Sequence, residues 1–127
     1  MMELKLYYCP YCKKIVEYVN DAPTTTICCG QPMLEIKANI TEAATEKHLP
    51  VIEKDGNYVT VKVGEVEHPM LETHFITHIW LETDMGMYRK SLIPETEPKA
   101  VFVLSEGEEV IAAYEYCNLH GLWKTEA

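Results

Sequence analysis

The sequence of 127 residues lacks any long apolar stretch, because its apolar runs are short and are interrupted by charged residues. A membrane-spanning helix needs about 20 consecutive apolar residues. An excess of basic residues is also absent, since the net charge is −9, whereas nucleic-acid-binding surfaces cluster Lys and Arg. A secretory signal has a basic segment followed by an apolar one, and the first residues do not show this pattern. We therefore expect a cytoplasmic protein that binds neither membranes nor nucleic acid.

Cysteine is missing from residues 30–116, although the chain has five cysteines. Four of them lie within the first 29 residues, and the fifth is Cys117. In a reducing compartment, clustered cysteines indicate metal or redox chemistry more often than structural disulfides. The length permits a small domain followed by a larger one. We predict domains at residues 1–37 and 38–127, with residues 36–44 as a connector.

Two cysteine motifs frame the first domain, namely Cys9-Pro-Tyr-Cys12 and Cys28-Cys29-Gly-Gln-Pro-Met. About 37 residues bury too little apolar surface to fold unaided, so a metal ion is expected to stabilise them. A glutaredoxin-like dithiol is the alternative, but that site needs a βαβ unit. Lys13 after Cys12 excludes a c-type haem motif. The tetrathiolate site that remains suits zinc or iron, and its adjacent cysteines predict a distorted tetrahedron.

The second domain has the pattern of an all-β sandwich. Strand-like runs at residues 51–54 and 58–63 flank Asp55-Gly56-Asn57, which predicts a hairpin. Further strands are predicted at residues 75–82, 87–92, 100–104 and 110–116. The spacing of these strands, without long helical periodicity, is typical of a sandwich.

Histidine and cysteine converge in the same domain. Three histidines lie in short segments predicted as loops, and Cys117-Asn-Leu-His120 follows a predicted strand; the loop histidines are His48, His68 and His74. Loop residues at strand ends can meet around one ion, whereas His78 lies within a strand and is interpreted as structural. Imidazole and thiolate together suit iron. Two alternatives remain: a nucleophile–base pair formed by Cys117 and His120, and a buried structural cysteine.

Glu46 and Lys47 directly precede His48. Most such charge pairs are solvated surface residues. Next to an open metal site, however, the carboxylate could bind a vacant position, and the ammonium could attract an anion in spite of the net negative charge. We therefore take both as candidate catalytic residues.

Taken together, the ordered motifs resemble the desulfoferrodoxins, which are two-iron superoxide reductases, over nearly the whole chain. The resemblance rests on Cys9-x-x-Cys12, Cys28-Cys29-Gly30-x-Pro32-Met33, Glu46-Lys47-His48-x-Pro50, His68-Pro69-Met70-x-x-x-His74 and Glu115-Tyr116-Cys117-Asn118-Leu119-His120-Gly121-x-Trp123. The cysteine motifs by themselves resemble the desulforedoxin-like FeS4 module, so the resemblance favours iron over zinc in the first domain.

The resemblance implies two iron ions per chain and an immunoglobulin-like sandwich. The first iron would be held by Cys9, Cys12, Cys28 and Cys29. The second would have Cys117 as axial ligand and four equatorial histidines, namely His48, His68, His74 and His120. Superoxide would be reduced to hydrogen peroxide with electrons from an external donor such as rubredoxin, and the protein would be a homodimer. A non-catalytic electron carrier or metal-stapled structural module remains the alternative, and a dismutase is a close chemical relative.

Overall fold

The computed structural model describes residues 3–41, 43 and 45–127. Met1 and Met2 of the predicted first domain, and Glu42 and Ala44 of the predicted connector, lie outside the described residues. The chain divides into two compact units, and the division falls between Lys37 and Ala38. Within the described residues, no helix has the length and apolar character needed to span a membrane.

The N-terminal unit consists of short strands: β1 (Leu6–Tyr8), β2 (Ile15–Glu17), β3 (Ile27–Cys28), β4 (Gln31–Pro32) and β5 (Leu34–Ile36). β1 pairs antiparallel with β2 on one side and with β5 on the other, whereas β3 and β4 form a separate two-stranded ladder. The rings of Tyr7 and Tyr18 stack with their centroids 4.5 Å apart. Apart from cysteine, the buried apolar side chains among the described residues of this unit are Leu6 and Met33.

Among its described residues, the C-terminal unit has one helical turn followed by seven strands. Their bounds are α1 (Thr45–His48), β6 (Pro50–Asp55), β7 (Tyr58–Val63), β8 (Ile76–Thr83), β9 (Gly86–Ser91), β10 (Lys99–Val103), β11 (Val110–Cys117) and β12 (Gly121–Glu126). The strands form two antiparallel sheets, ordered β10-β7-β6 and β12-β11-β8-β9. The predicted all-β, immunoglobulin-like fold is confirmed.

Alternation along the strands creates the core between the two sheets. In β7 the inward positions are Val59, Val61 and Val63, each at most 2% exposed. Because side chains alternate across a pleated strand, the residues between them face away from this core. The facing sheet contributes Ile79 and Leu81 from β8, and both belong to the same buried cluster.

The structure also corrects two details of the sequence analysis. His48 was predicted in a loop, but it is the last residue of α1, and Leu49 N–H donates to the Thr45 carbonyl at 3.0 Å. The strand β12 was not predicted at all. It pairs with β11 across the tight turn that follows Cys117, with Cys117 opposite Gly121.

Candidate metal centres

Cys9, Cys12, Cys28 and Cys29 form the first candidate centre. Their sulfur atoms all lie within 4.8 Å of one another, and all four cysteines are free. The Sγ atoms of Cys12 and Cys28 are 3.6 Å apart. Two sulfurs bound to one tetrahedral ion at about 2.3 Å would be about 3.8 Å apart. The spacing of the thiols therefore fits a shared metal ion.

The backbone explains how two adjacent cysteines can both face this centre. Cys29 adopts a left-handed conformation with φ of 53°, and Gly30 follows with φ of 73°. A left-handed residue other than glycine costs about 1–2 kcal/mol. The turn therefore holds Cys29 in a conformation that the chain would not otherwise favour. The distorted tetrahedron expected from the adjacent cysteines stays a prediction.

Backbone donors and neighbouring thiols act in opposite directions on this centre. The N–H groups of Cys12 and then Tyr11 lower the pKa of the Cys9 thiol to about 6. Hydrogen bonds with Cys12 and then Cys9 raise the pKa of Cys28 to about 12. A bound cation would favour the deprotonated forms.

The second candidate centre joins His48, His68, His74 and His120 with Cys117, whose ligand atoms also lie within 4.8 Å of one another. The imidazole rings form a closed cycle. Neighbouring centroids are 4.6 to 5.0 Å apart, and neighbouring planes are inclined by 76° to 88°. Four imidazole rings thus surround one point, each nearly perpendicular to the next, and this arrangement matches a square of nitrogen donors.

Distances between ring nitrogens test whether this square fits a metal ion. His48 Nε2 lies 3.1 Å from His68 Nε2 and 3.1 Å from His120 Nδ1. Imidazole nitrogens bind first-row metal ions at about 2.1 Å, so two of them at right angles lie about 3.0 Å apart. His74 Nε2 is buried without a hydrogen-bond partner. Burying such an atom is unfavourable, and a metal ion would satisfy it.

Hydrogen bonding sets the tautomer of His68. Its Nδ1 lies 2.7 Å from the Pro69 carbonyl oxygen. A carbonyl only accepts, so Nδ1 carries the proton and Nε2 presents its lone pair to the centre. Burial, as the main cause, lowers the pKa of His68 to about 4. The ring is therefore neutral at physiological pH, as a metal ligand must be.

Cys117 completes the donor set at the end of β11. It is 0% exposed, and its Sγ lies 3.8 Å from His120 Nδ1. Burial raises the pKa of the thiol, whereas the backbone N–H groups of Leu119 and His120 lower it. The pairing of β11 with β8 shifts register between Tyr116 and Cys117. Such an irregularity re-aims a side chain, and Cys117 is the residue that it places.

Two residues beside this centre, Trp123 and Glu115, belong to the motif quoted from the sequence but were given no role there. The indole of Trp123 stacks on His48 at 4.9 Å, and its Nε1–H donates to the His120 carbonyl at 3.1 Å. Glu115 is fully buried, and neither carboxylate oxygen has a hydrogen-bond partner. Burial raises the pKa of Glu115 well above its usual value. Glu115 precedes Cys117 by two residues on β11, and residues two apart on a strand face the same side of the sheet. This alternation is the signal in the sequence that could have placed Glu115 on the same face as Cys117.

Glu46 and Lys47 are exposed on α1, directly before buried His48. The positive charge of Lys47 contributes to lowering the pKa of His74, after burial and the charge of His120. Lys47 is therefore close enough to act electrostatically on the second centre. Glu46 is not part of the donor group. It lines a groove of about 870 Å³ with apolar residues of β6 and the end of β12.

Comparison with known proteins places the chain in a family. A family model described as Desulfoferrodoxin matches residues 40–126. The chain belongs to the desulfoferrodoxin family. The chain is 45% identical to the desulfoferrodoxin of Syntrophotalea carbinolica over 124 residues, which cover 98% of this chain and 97% of the relative. In a chain of this family, the tetrathiolate group and the four-histidine, one-cysteine group fit two iron centres.

Solved structures of desulfoferrodoxin relatives share the fold. The superoxide reductase from Treponema pallidum superposes with a TM-score of 0.83 at 34% identity, covering 98% of this chain and all of that one. The superoxide reductase (1Fe-SOR) from Giardia intestinalis gives a TM-score of 0.56 at 34% identity, covering 65% of this chain and 97% of that one. Proteins named as superoxide reductases therefore share both the fold and a substantial part of the sequence.

Proposed function

We propose that the chain is a superoxide reductase that reduces superoxide to hydrogen peroxide with electrons from an external donor. The observation that carries the proposal is the square of four imidazoles completed by the Cys117 thiol. The group supplies five donors, one fewer than an octahedral ion accepts, and an open position is what metal catalysis requires. The similarity to proteins named superoxide reductases supports the same conclusion.

The overall reaction combines one superoxide, one electron and two protons into one hydrogen peroxide. Iron held by the histidine group would supply that electron, which the external donor would replace. The protein side chains must then attract the anion, hold the donor atoms and admit protons. We assign the metal-binding role to His48, His68, His74, His120 and Cys117.

Lys47 is proposed to attract superoxide. Its exposed side chain lies on α1 directly before His48, a member of the donor group, in a molecule whose net charge is −9. Local potential outweighs net charge at short range, and electrostatic steering raises association rates by roughly 10 to 10³-fold. The same ammonium can orient water from which the product takes its protons.

Glu46 is proposed to occupy the open position after product leaves. Its place on α1, two residues before the donor residue His48, supports this role. The Glu46→Ala variant should alter the visible spectrum of the oxidised resting protein while leaving superoxide capture nearly unchanged. An unaltered resting spectrum would remove this role.

The N-terminal unit, residues 1–37, is proposed to carry electrons through iron held by Cys9, Cys12, Cys28 and Cys29, and residues 38–127 are proposed to be the catalytic domain. A rubredoxin-type donor, a homodimeric assembly and a cytoplasmic location stay predictions from the sequence.

Product stoichiometry tests the function. The iron-loaded protein is reduced without oxygen and supplied with superoxide and a continuous electron donor, and peroxide and dioxygen are measured. About one peroxide per superoxide without enzymatic dioxygen is expected for one-way reduction at an open metal site. Half that peroxide with matching dioxygen, formed faster than in a sample without protein, would indicate enzymatic dismutation. Superoxide loss no faster than in that sample, which dismutates spontaneously, would favour an electron carrier or structural module.

A matched pair of variants controls the assay. His74→Ala removes a member of the donor group and should lower the peroxide yield to that of spontaneous dismutation, about half a peroxide per superoxide. His78→Ala removes a histidine four residues further along, which lies in β8 and outside the group. It should retain the wild-type stoichiometry. Equal loss in both variants would argue against a specific histidine centre.

A further inference from the structure

Gly64, which directly follows β7, packs against the backbone of the segment that carries Lys47. Its φ of +83° lies in the left-handed region, and the residue is buried. A Cβ atom at this position would lie 2.6 Å from the Lys47 carbonyl oxygen, 2.7 Å from the Lys47 carbonyl carbon and 2.5 Å from the Val66 carbonyl oxygen. All three neighbours are backbone atoms, so a side chain at residue 64 requires the backbone to move.

Two hydrogen bonds join the same turn to α1. The Gly64 N–H donates to the Leu49 carbonyl, and the Val66 N–H donates to the Glu46 carbonyl, both at 3.0 Å. A single helical turn is not stable by itself, because nucleation fixes several residues for one hydrogen bond, and its terminal carbonyls need partners. The turn at residues 64–66 therefore supplies an anchor for α1.

We propose that Gly64 is a positioning residue that sets the place of Lys47 beside the histidine centre. Only glycine lets the turn approach the Lys47 carbonyl while both anchoring hydrogen bonds form. The inference rests on the proposed function, because it concerns the capture of superoxide by the Lys47 charge. It adds a residue 17 positions away in the sequence that is not a member of the donor group.

The test compares Gly64→Ala with Gly107→Ala. Gly107 has φ of +81°, almost the same as Gly64, but a Cβ added there meets nothing within 4 Å. Both variants therefore suffer the same left-handed strain, and only Gly64→Ala displaces the Lys47 backbone. At low salt, Gly64→Ala should capture superoxide about tenfold more slowly and with a flatter salt dependence, because a misplaced charge steers less well. Gly107→Ala should match the wild type in both respects.

A double variant shows whether Gly64 acts through Lys47. Lys47→Ala alone should slow capture and flatten its salt dependence. Adding Gly64→Ala to Lys47→Ala should then change the rate less than twofold. If the two effects multiply, or if Gly64→Ala alone captures superoxide as the wild type does, the inference is overturned.

Amide hydrogen exchange on the metal-free protein gives a readout that does not depend on activity. Exchange at residue 64 and at Val66 should accelerate in Gly64→Ala and stay unchanged in Gly107→Ala. Should Gly64→Ala fail to fold, Val66→Pro is the second variant, because it removes the hydrogen bond to Glu46. It should flatten the salt dependence of superoxide capture in the same way. A wild-type salt dependence in Val66→Pro would overturn the inference that the turn at residues 64–66 anchors α1. A wild-type protein that leaves superoxide unreacted would refute the proposed function, whereas unchanged exchange in Gly64→Ala would refute only this inference.

Discussion

Replacing Asn118 with alanine should loosen the two loops that bring Cys117, His120 and His74 together. The side-chain Oδ1 of Asn118 accepts from Phe75 N–H at 2.9 Å, and its Nδ2 donates to the Thr73 carbonyl at 3.1 Å. These two bonds tie the turn after β11 to the segment that carries His74. Alanine at residue 118 removes both.

The magnitude follows from the number and exposure of the lost bonds. One neutral hydrogen bond contributes about 0.5–1.5 kcal/mol net. Asn118 is exposed, so water partly replaces its partners, and we expect the free energy of unfolding of the metal-free protein to fall by about 1–2 kcal/mol. If the loop must be ordered again when metal binds, affinity falls by about 5- to 30-fold, since 1.4 kcal/mol corresponds to a factor of ten.

Two assays and one control separate these effects. Urea unfolding of the metal-free variant gives the stability change, and anaerobic titration with cobalt(II), followed through the thiolate-to-metal absorption, gives the affinity. Asn39→Gly is the control, because Asn39 also bonds through Oδ1 and Nδ2 to one N–H and one carbonyl, both of Lys124. Glycine suits its φ of 61°. The control should lose stability and keep its cobalt affinity. A stability change below about 0.5 kcal/mol in Asn118→Ala, the usual size of an unimportant surface change, together with wild-type affinity, would refute the reasoning.

Two further predictions concern acid stability and the N-terminal centre. Hydrogen bonds from the Thr83 hydroxyl and then the Ser105 N–H lower the pKa of Glu108 below its usual value of 4.5. The ionised carboxylate therefore stabilises the folded state. This contribution is present above the unfolded-state pKa and is lost as pH falls through the folded-state pKa. Glu108→Gln should therefore be less stable than wild type at pH 7, with a difference that shrinks on acidification in denaturant titrations, and a difference constant with pH would contradict this. Cys12→Ser should unfold residues 3–37, because Leu6 and Met33 bury too little apolar surface to replace a metal contribution of about 10–16 kcal/mol. Protected Leu6 and Met33 amides in a variant free of iron at this site would show that the unit folds without metal.

The sequence was informative where the signal was local. The hairpin predicted around Asp55-Gly56-Asn57 is confirmed as β6 and β7, because alternating apolar residues and a turn signal identify a hairpin without tertiary information. The fold class and the family are confirmed as well. The residues of the two candidate centres could be named because thiols and imidazoles with this spacing are rare by chance. Their roles as metal ligands stay predictions until metal content is measured.

What escaped prediction depends on contacts between distant residues. β12 was missed because the segment after Cys117 was interpreted only for its chemistry, although Gly121–Glu126 pairs with most of β11. The helical turn α1 lacks the length that produces a periodic signal. The irregular register at Cys117 depends on the pairing of β11 with β8, which no short window of sequence contains.

The histidine centre lies at the ends of strands, so its geometry depends on loop anchors more than on the sandwich core. Gly64 supports α1, and Asn118 ties the turn after Cys117 to the segment containing His74. Core packing fixes where the strands end, but it does not fix the direction of the residues beyond those ends. A core substitution such as Val61→Ala should therefore lower global stability, by about 1–2 kcal/mol for two lost methyl groups, without a matching loss of metal affinity. Asn118→Ala should lower stability by a similar amount but should also lower metal affinity, and Gly64→Ala should slow superoxide capture.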